Sequence, residues 1–189
     1  GFPVAAKIDF AEVIDVRSPA EFEEDHITGA INLPVLSNLE RAEIGTIYKQ
    51  VSSFEARKRG AAMVSRNIAA HIENYFFGKG KDYRPLIYCW RGGHRSESLA
   101  TVLSGIGWHV YLLDGGYRTY RHCVTSETAT RVMSLNLVVL NGLTGSGKTL
   151  VLRELRRQGE QVIDLEGIAR HKGSVFGGDP QNPQPAQKR

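Results

Sequence analysis

The 189-residue sequence is poor in cysteine, with two at positions 89 and 123, and so few exclude a disulfide scaffold. No apolar run approaches the roughly 18 residues of a membrane-spanning helix. The N-terminus has no basic-then-apolar leader. These absences point to a reducing, cytoplasmic setting with no membrane span. An excess of one charge sign is also lacking: 24 Lys+Arg stand against 20 Asp+Glu, a net of +4. What is present is ordinary for a globular chain. Hydrophobic residues make up 41% and charged residues 23%, which allows a core and excludes wholesale disorder. The length suits one domain of usual size, or one and part of another. The chain begins at Gly1 rather than Met and ends in a Gly/Pro/Gln-rich stretch, so both ends read as cut from something longer.

The charge is unevenly spread. Residues 1–130 are neutral overall, and residues 131–189 carry the whole excess. A basic last third is compatible with a polyanion partner.

Short apolar runs alternate with helix signals. Val13–Val16 reads as a buried strand, followed by Ser18-Pro19-Ala20-Glu21, a helix start with cap, proline and glutamate in place. Val64, Ile68, Ile72 and Phe76 make one stripe of a helix spanning Phe54 to Phe77. Leu86–Cys89 is the next strand. A helix follows with Leu99, Val102, Leu103 and Ile106 on one face, closed by Gly105 and Gly107. Val110–Leu113 is a further strand, ended by Asp114-Gly115-Gly116. Strands alternating with helices imply an α/β domain with a mainly parallel sheet flanked by helices. A second unit begins near Leu135. Its strand 137–140, helix 148–158 and strand 161–164 form one βαβ unit, and residues 173–189 read as loop. We divide the chain into residues 1–133 and residues 134–189.

Cys89-Trp90-Arg91-Gly92-Gly93-His94-Arg95-Ser96 is the first chemical motif. A cysteine between a buried strand and a helix meets loop N–H groups and the positive helix end, both of which favour a thiolate. Gly92 and Gly93 let the backbone curl so that successive N–H groups face inward. Arg91 and Arg95 add positive charge. The result is an anion cradle around a nucleophile, suited to a thiolate, a persulfide or selenide adduct, or a substrate oxyanion. His94 lies in this loop without an assigned role as a base. Cys123 lacks such surroundings and reads as a structural or incidental thiol.

The second motif is Gly142-Leu143-Thr144-Gly145-Ser146-Gly147-Lys148-Thr149, a phosphate loop (Walker A) between a predicted strand and a predicted helix. Its N–H groups would wrap a diphosphate and Lys148 would reach the outer phosphate. Thr149 would offer a hydroxyl to Mg²⁺. Asp164 is either a Mg²⁺ or substrate ligand, or a cap. The motif indicates diphosphate binding and does not by itself show hydrolysis or name ATP.

Asp15-Val16-Arg17-Ser18-Pro19-Ala20-Glu21-Phe22, His26 through Pro34, the Cys89 loop and Leu113-Asp114-Gly115-Gly116-Tyr117 together resemble the signature of rhodanese domains, which carry sulfur as a persulfide on the loop cysteine. Within it, Asp15 and Arg17 read as structural. Five residues separate Cys89 from Arg95, where common single-domain rhodaneses have four, so the loop is also close to that of Cys-dependent phosphatases. A rhodanese unit followed by a phosphate loop resembles the tRNA 2-selenouridine synthase family. Residues 40–50, 113–121, 161–167 and 171–177 are similar to further segments of that family.

The resemblance implies a transferase that replaces the sulfur of wobble 2-thiouridine in tRNA by selenium. Selenophosphate and geranyl diphosphate are its co-substrates, with a geranylated thiouridine as intermediate. It implies Cys89 as the catalytic residue, and partners that include tRNA and a selenophosphate-producing enzyme. The phosphate loop would hold the prenyl diphosphate or an RNA phosphate. Arg153, Arg156, Arg157 and Arg170 are candidate RNA contacts. A thiosulfate sulfurtransferase and a Cys-dependent phosphatase are the alternatives, and the 189-residue chain alone is expected to be inactive or partial.

Overall fold

The computed structural model describes residues 9–143, 145–171, 177–178, 180–181 and 184–185. The chain divides into two units, Gly1–Ser134 and Leu135–Arg189. The first carries β1 (Glu12–Asp15), α1 (Pro19–Glu24), β2 (Ile31–Asn32), α2 (Asn38–Gln50), α3 (Ser53–Asn74), a 3-10 turn (Phe76–Gly78), β3 (Pro85–Tyr88), α4 (His94–Ile106), β4 (Tyr111–Leu112) and α5 (Gly116–Val132). The second carries α6 (Lys148–Arg157) and α7 (Leu165–Ile168). Among the described residues no helix is long and apolar enough to cross a membrane.

Four parallel strands in the order β2-β1-β3-β4 form the sheet. The strand period of two sends alternate side chains to opposite faces. Ile14, Val16, Ile87 and Cys89 join one core with Ile68, Leu99 and Leu103, under α3 and α4. Val13, Leu86 and Tyr88 join the other with Ile27 and Tyr117, under α5. Both strand centres are covered, as a parallel sheet requires.

Local signals explain the helices. Ser18 and Glu21 form a capping box at α1, with Pro19 at the first helical position. On α3, Ile68 and Phe76 just beyond it are buried, with Val64 and Ile72 packed beside them. On α4 the core stripe is Ser96, Leu99, Ala100 and Leu103, and Gly107 ends the helix at φ +115°.

Three expectations need correction, and one helix was not expected. Val102 and Ile106 are exposed, because the buried stripe of α4 runs through Ser96 and Ala100 instead. The fourth strand is only two residues long. Residues 116–132 form a helix that no apolar periodicity announces, since only Gly116 and Tyr117 are buried. Residues 137–140 and 161–164 are not strands. Neither run has a ladder partner among the described residues, and an unpaired strand is not stable in water. The loop expected over 173–189 falls mostly outside the described residues.

Candidate active site

The parallel register lines up Asp15 of β1 with Tyr88 of β3, so the segments that leave both strands share one edge of the sheet. Cys89 is the first residue beyond β3 and is buried. Its Sγ accepts from the Gly93 N–H at 3.3 Å and faces the Ser96 hydroxyl at 3.2 Å. Burial pushes the thiol up, but the Ser96 hydroxyl and the N–H groups of Ser96, Gly93 and Arg91 outweigh it. The Cys89 thiol is held below its ordinary value. Ser96 Oγ also lies 3.0 Å from the Gly93 carbonyl, so its single proton has two acceptors to choose between.

The loop takes its curl from Gly92, at φ +68°. A Cβ there would crowd the Leu113 carbonyl oxygen at 3.1 Å and the Gly115 nitrogen at 3.2 Å. From the far side, the start of α5 locks the loop. Tyr117 N–H donates to the Cys89 carbonyl at 2.8 Å and Arg118 N–H to the Trp90 carbonyl at 3.0 Å. The otherwise orphaned donors of a helix start thereby hold the cysteine loop. Trp90 packs on Tyr117 with ring centroids 5.7 Å apart.

Beneath this lies a buried ion pair. Arg17 and Asp15 are fully buried, with Nη2 to Oδ2 at 2.6 Å and Nε to both carboxylate oxygens at 3.0 Å. The guanidinium lies over the Tyr117 ring at 4.1 Å and donates to the Asp25 carbonyl at 2.7 Å. Asp25 in turn bonds the Tyr117 hydroxyl and Arg121. Burial and the bond to Asp25 push the Tyr117 hydroxyl up to about 12, so it stays protonated and donates. The structural role read for Asp15 and Arg17 is therefore to brace the platform behind the cysteine loop.

The loop's two arginines differ. Arg91 is exposed and has no carboxylate partner among the described residues. Arg95 is only 23% exposed and pairs with Glu21, Nη1 to Oε2 at 2.8 Å. His94 projects into solvent beside Glu97, with Nδ1 at 3.3 Å from the carboxylate. Sequence reasoning missed Glu21 and Gly116 as loop partners. The successive glycines before Tyr117 were the available signal for Gly116. Nothing local links Glu21 to Arg95.

The second unit holds the other motif. Gly145 and Gly147 take φ +80° and +83°, and α6 begins at Lys148. Lys148 Nζ folds back on the carbonyls of Gly142 and Leu143 at 2.8 and 2.9 Å. Asn141 Oδ1 accepts from Gly142 N–H, and Ser146 N–H donates to the Leu143 carbonyl. Thr144 lies outside the described residues, and Thr149 sits in the first turn of α6. Asp164 caps α7, accepting from Gly167 N–H at 3.0 Å. Arg153 and Arg156 are exposed, whereas Arg157 pairs with Glu154 at 2.7 Å. Arg170 is exposed, in a left-handed turn at φ +51°. Among the described residues no three His, Cys, Asp or Glu side chains gather as a metal site.

Both units match known families. Residues 135–189 match the family model described as the tRNA 2-selenouridine synthase AAA domain. The chain is 40% identical over 176 residues to the tRNA 2-selenouridine synthase of Sulfurovum sp. (strain NBC37-1), across 92% of this chain and 46% of that protein. It is 39% identical over 176 residues to the tRNA 2-selenouridine synthase of Nitrosomonas europaea, across 93% and 45%. The chain thus spans about half the length of the curated relatives it matches. Among solved structures, it resembles the N-terminal domain of a Clostridium difficile 630 protein described as ATP/GTP binding. That likeness has a TM-score of 0.55 at 42% identity, over 62% of this chain and 92% of that one. Residues 4–123 match the model for the rhodanese-like domain. That match takes in well over half of the sequence, with the whole sheet and the Cys89 loop inside it, so the chain belongs to the rhodanese-like domain family.

Proposed function

We propose that this chain is the rhodanese-like part and the phosphate-loop segment of a tRNA 2-selenouridine synthase, a cytoplasmic transferase. It replaces the sulfur of wobble 2-thiouridine by selenium from selenophosphate, through a thiouridine geranylated by geranyl diphosphate. The observation that carries this reading is the buried Cys89 sulfur with the Gly93 N–H and the Ser96 hydroxyl directed at it. Relatives of that name, about 40% identical over nine-tenths of the chain, support it.

In this reading Cys89 is the reactive thiolate, and its loop receives the selenophosphate oxyanion. The inward N–H groups and exposed Arg91 neutralise that anion. The loop 142–149 holds the diphosphate of geranyl diphosphate. For that, Lys148 must leave the Gly142 and Leu143 carbonyls it now bonds and turn to the phosphate. An RNA phosphate would draw on the same donors. Mg²⁺, where the diphosphate brings it, would take the Thr149 hydroxyl. Asp164 already caps α7 and is the weaker candidate. Arg153 and Arg156 are the stronger candidates for RNA phosphates, since Arg157 is paired within its own helix. The 189-residue chain alone turns over little, because segments 137–140 and 161–164 lack strand partners among the described residues.

The test is mass analysis of tRNA nucleosides from a host without its own enzyme, given the gene that carries this sequence or its Cys89→Ser form. Selenouridine from the first and none from the second is expected. Equal amounts from both refute the role of Cys89. Selenouridine from neither, with thiosulfate sulfurtransfer intact, favours a plain sulfurtransferase. Phosphate-ester hydrolysis that needs Cys89 would instead favour a phosphatase.

A further inference from the structure

Glu21 opens α1 at the same edge of the sheet as Cys89, and it binds more donors than a helix cap needs. Its Oε2 accepts from the Ser18 N–H and hydroxyl, both at 3.1 Å. It also takes Arg95 Nη1 at 2.8 Å and Arg41 Nε at 2.9 Å. The Glu21 side chain is only 14% exposed. Burial pushes its carboxyl up, but the bond and charge of Arg95, the Ser18 N–H and the charge of Arg41 hold it below the usual carboxylate range. Glu21 is therefore an anion at neutral pH.

Arg95 is the half-buried arginine of the Cys89 loop and directly precedes Ser96, whose hydroxyl faces the sulfur. One guanidinium thus serves two anionic claims: the fixed carboxylate of Glu21 and any oxyanion that enters the loop. Arg41, on α2, makes an exchange between them feasible. It is half-exposed and its bond to Glu21 is independent of Arg95, so the carboxylate would keep one cation if Arg95 left.

We propose that Glu21 is a positioning residue that sets the oxyanion affinity of the Cys89 loop. It holds Arg95 while the loop contains no anion and releases it to an arriving oxyanion, with Arg41 as the cation that remains. The inference rests on the reading of the Cys89 loop as an oxyanion site. Two ligands that compete for one group are negatively coupled, and removing one strengthens the other.

The test uses the 189-residue chain, with inorganic phosphate as the probe at constant ionic strength. Phosphate in the loop slows iodoacetamide alkylation of Cys89, read on the Cys89 peptide by mass spectrometry. Glu21→Gln keeps the capping pattern, because glutamine serves at that helix position. It is expected to reach half-protection at roughly five- to twentyfold less phosphate than the parent chain. The gain is expected to vanish in Glu21→Gln with Arg95→Ala, which separates competition from a general structural effect. Arg41→Ala leaves Glu21 to Arg95 alone and is expected to need more phosphate. Glu21→Gln needing as much phosphate as the parent or more, or a gain that survives loss of Arg95, overturns the proposal. If Glu21→Gln does not fold, Arg41→Ala decides: an unchanged or lower phosphate requirement overturns it. Failure of phosphate to protect the parent chain overturns the oxyanion reading itself, a result distinct from the others.

Discussion

Gly116→Ala is the perturbation that most directly probes how α5 holds the cysteine loop. Gly116 sits at φ +62°, a left-handed conformation that costs an alanine about 1–2 kcal/mol. Its Cβ would press on the Cys89 carbonyl oxygen and lie 2.6 Å from the Gly92 nitrogen and 2.9 Å from the Arg91 nitrogen. All three are backbone atoms and cannot rotate away, so the loop or α5 must shift. Overpacking of this kind costs of order 1–3 kcal/mol. Relief by movement strains the bonds from Tyr117 N–H to Cys89 and from Arg118 N–H to Trp90, each worth about 1 kcal/mol. The expected loss is therefore about 3 kcal/mol in urea unfolding. Cys89 should also lose alkylation rate at neutral pH, because its N–H donors move. Gly93→Ala is the matched control: a Cβ there meets open space at negative φ, and stability should change by less than about 0.5 kcal/mol. Equal stability and equal Cys89 reactivity in the two variants would refute the bracing role of α5.

Three further outcomes follow from the geometry. Ser96→Ala removes the hydroxyl 3.2 Å from the sulfur, so the thiol pKa rises and alkylation at neutral pH slows roughly threefold or more; an unchanged pH–rate profile would count against the hydroxyl as a thiolate donor. Asp15→Ala strands the fully buried Arg17 cation and should cost about 3–5 kcal/mol in urea unfolding, while a loss under about 1 kcal/mol would contradict the bracing pair. Glu12, Glu21 and Glu40 have depressed carboxyls, Glu12 because the Tyr83, Tyr75 and Lys79 bonds outweigh its burial. Their contribution is complete above the unfolded value of about 4.3 and fades as pH falls through the lower folded values. Urea midpoints should thus hold level from about pH 6 to about pH 5 and drop from there to about pH 3, less steeply in Glu21→Gln.

The parts of this fold written in local patterns were legible. The capping box at Ser18 and Glu21, the stripe of α3 that ends at Phe76 and the strand–Cys89–helix sequence each rest on spacings between near neighbours in the chain. The parts that rest on pairing were not. Residues 137–140 have the composition of a strand, but composition supplies no ladder partner. Helix α5 carries four threonines and only two buried residues, so no stripe marks it; its start is fixed by carbonyls of a loop 28 positions earlier. The cysteine loop could be read as an anion cradle from Gly92, Gly93 and the two arginines. That Arg95 is already engaged by Glu21 depends on a contact across 74 positions, which only the parallel register of β1 and β3 creates.

In the proposed function this loop makes Cys89 a thiolate poised for reaction. Its most direct measurement is the alkylation rate of Cys89 against pH in the 189-residue chain, read on its own peptide. The expected apparent pKa lies below the value of about 8.5 for a free cysteine. An apparent pKa at or above that value would mean that burial outweighs the Ser96 hydroxyl and the loop N–H groups, and that Cys89 is no poised thiolate.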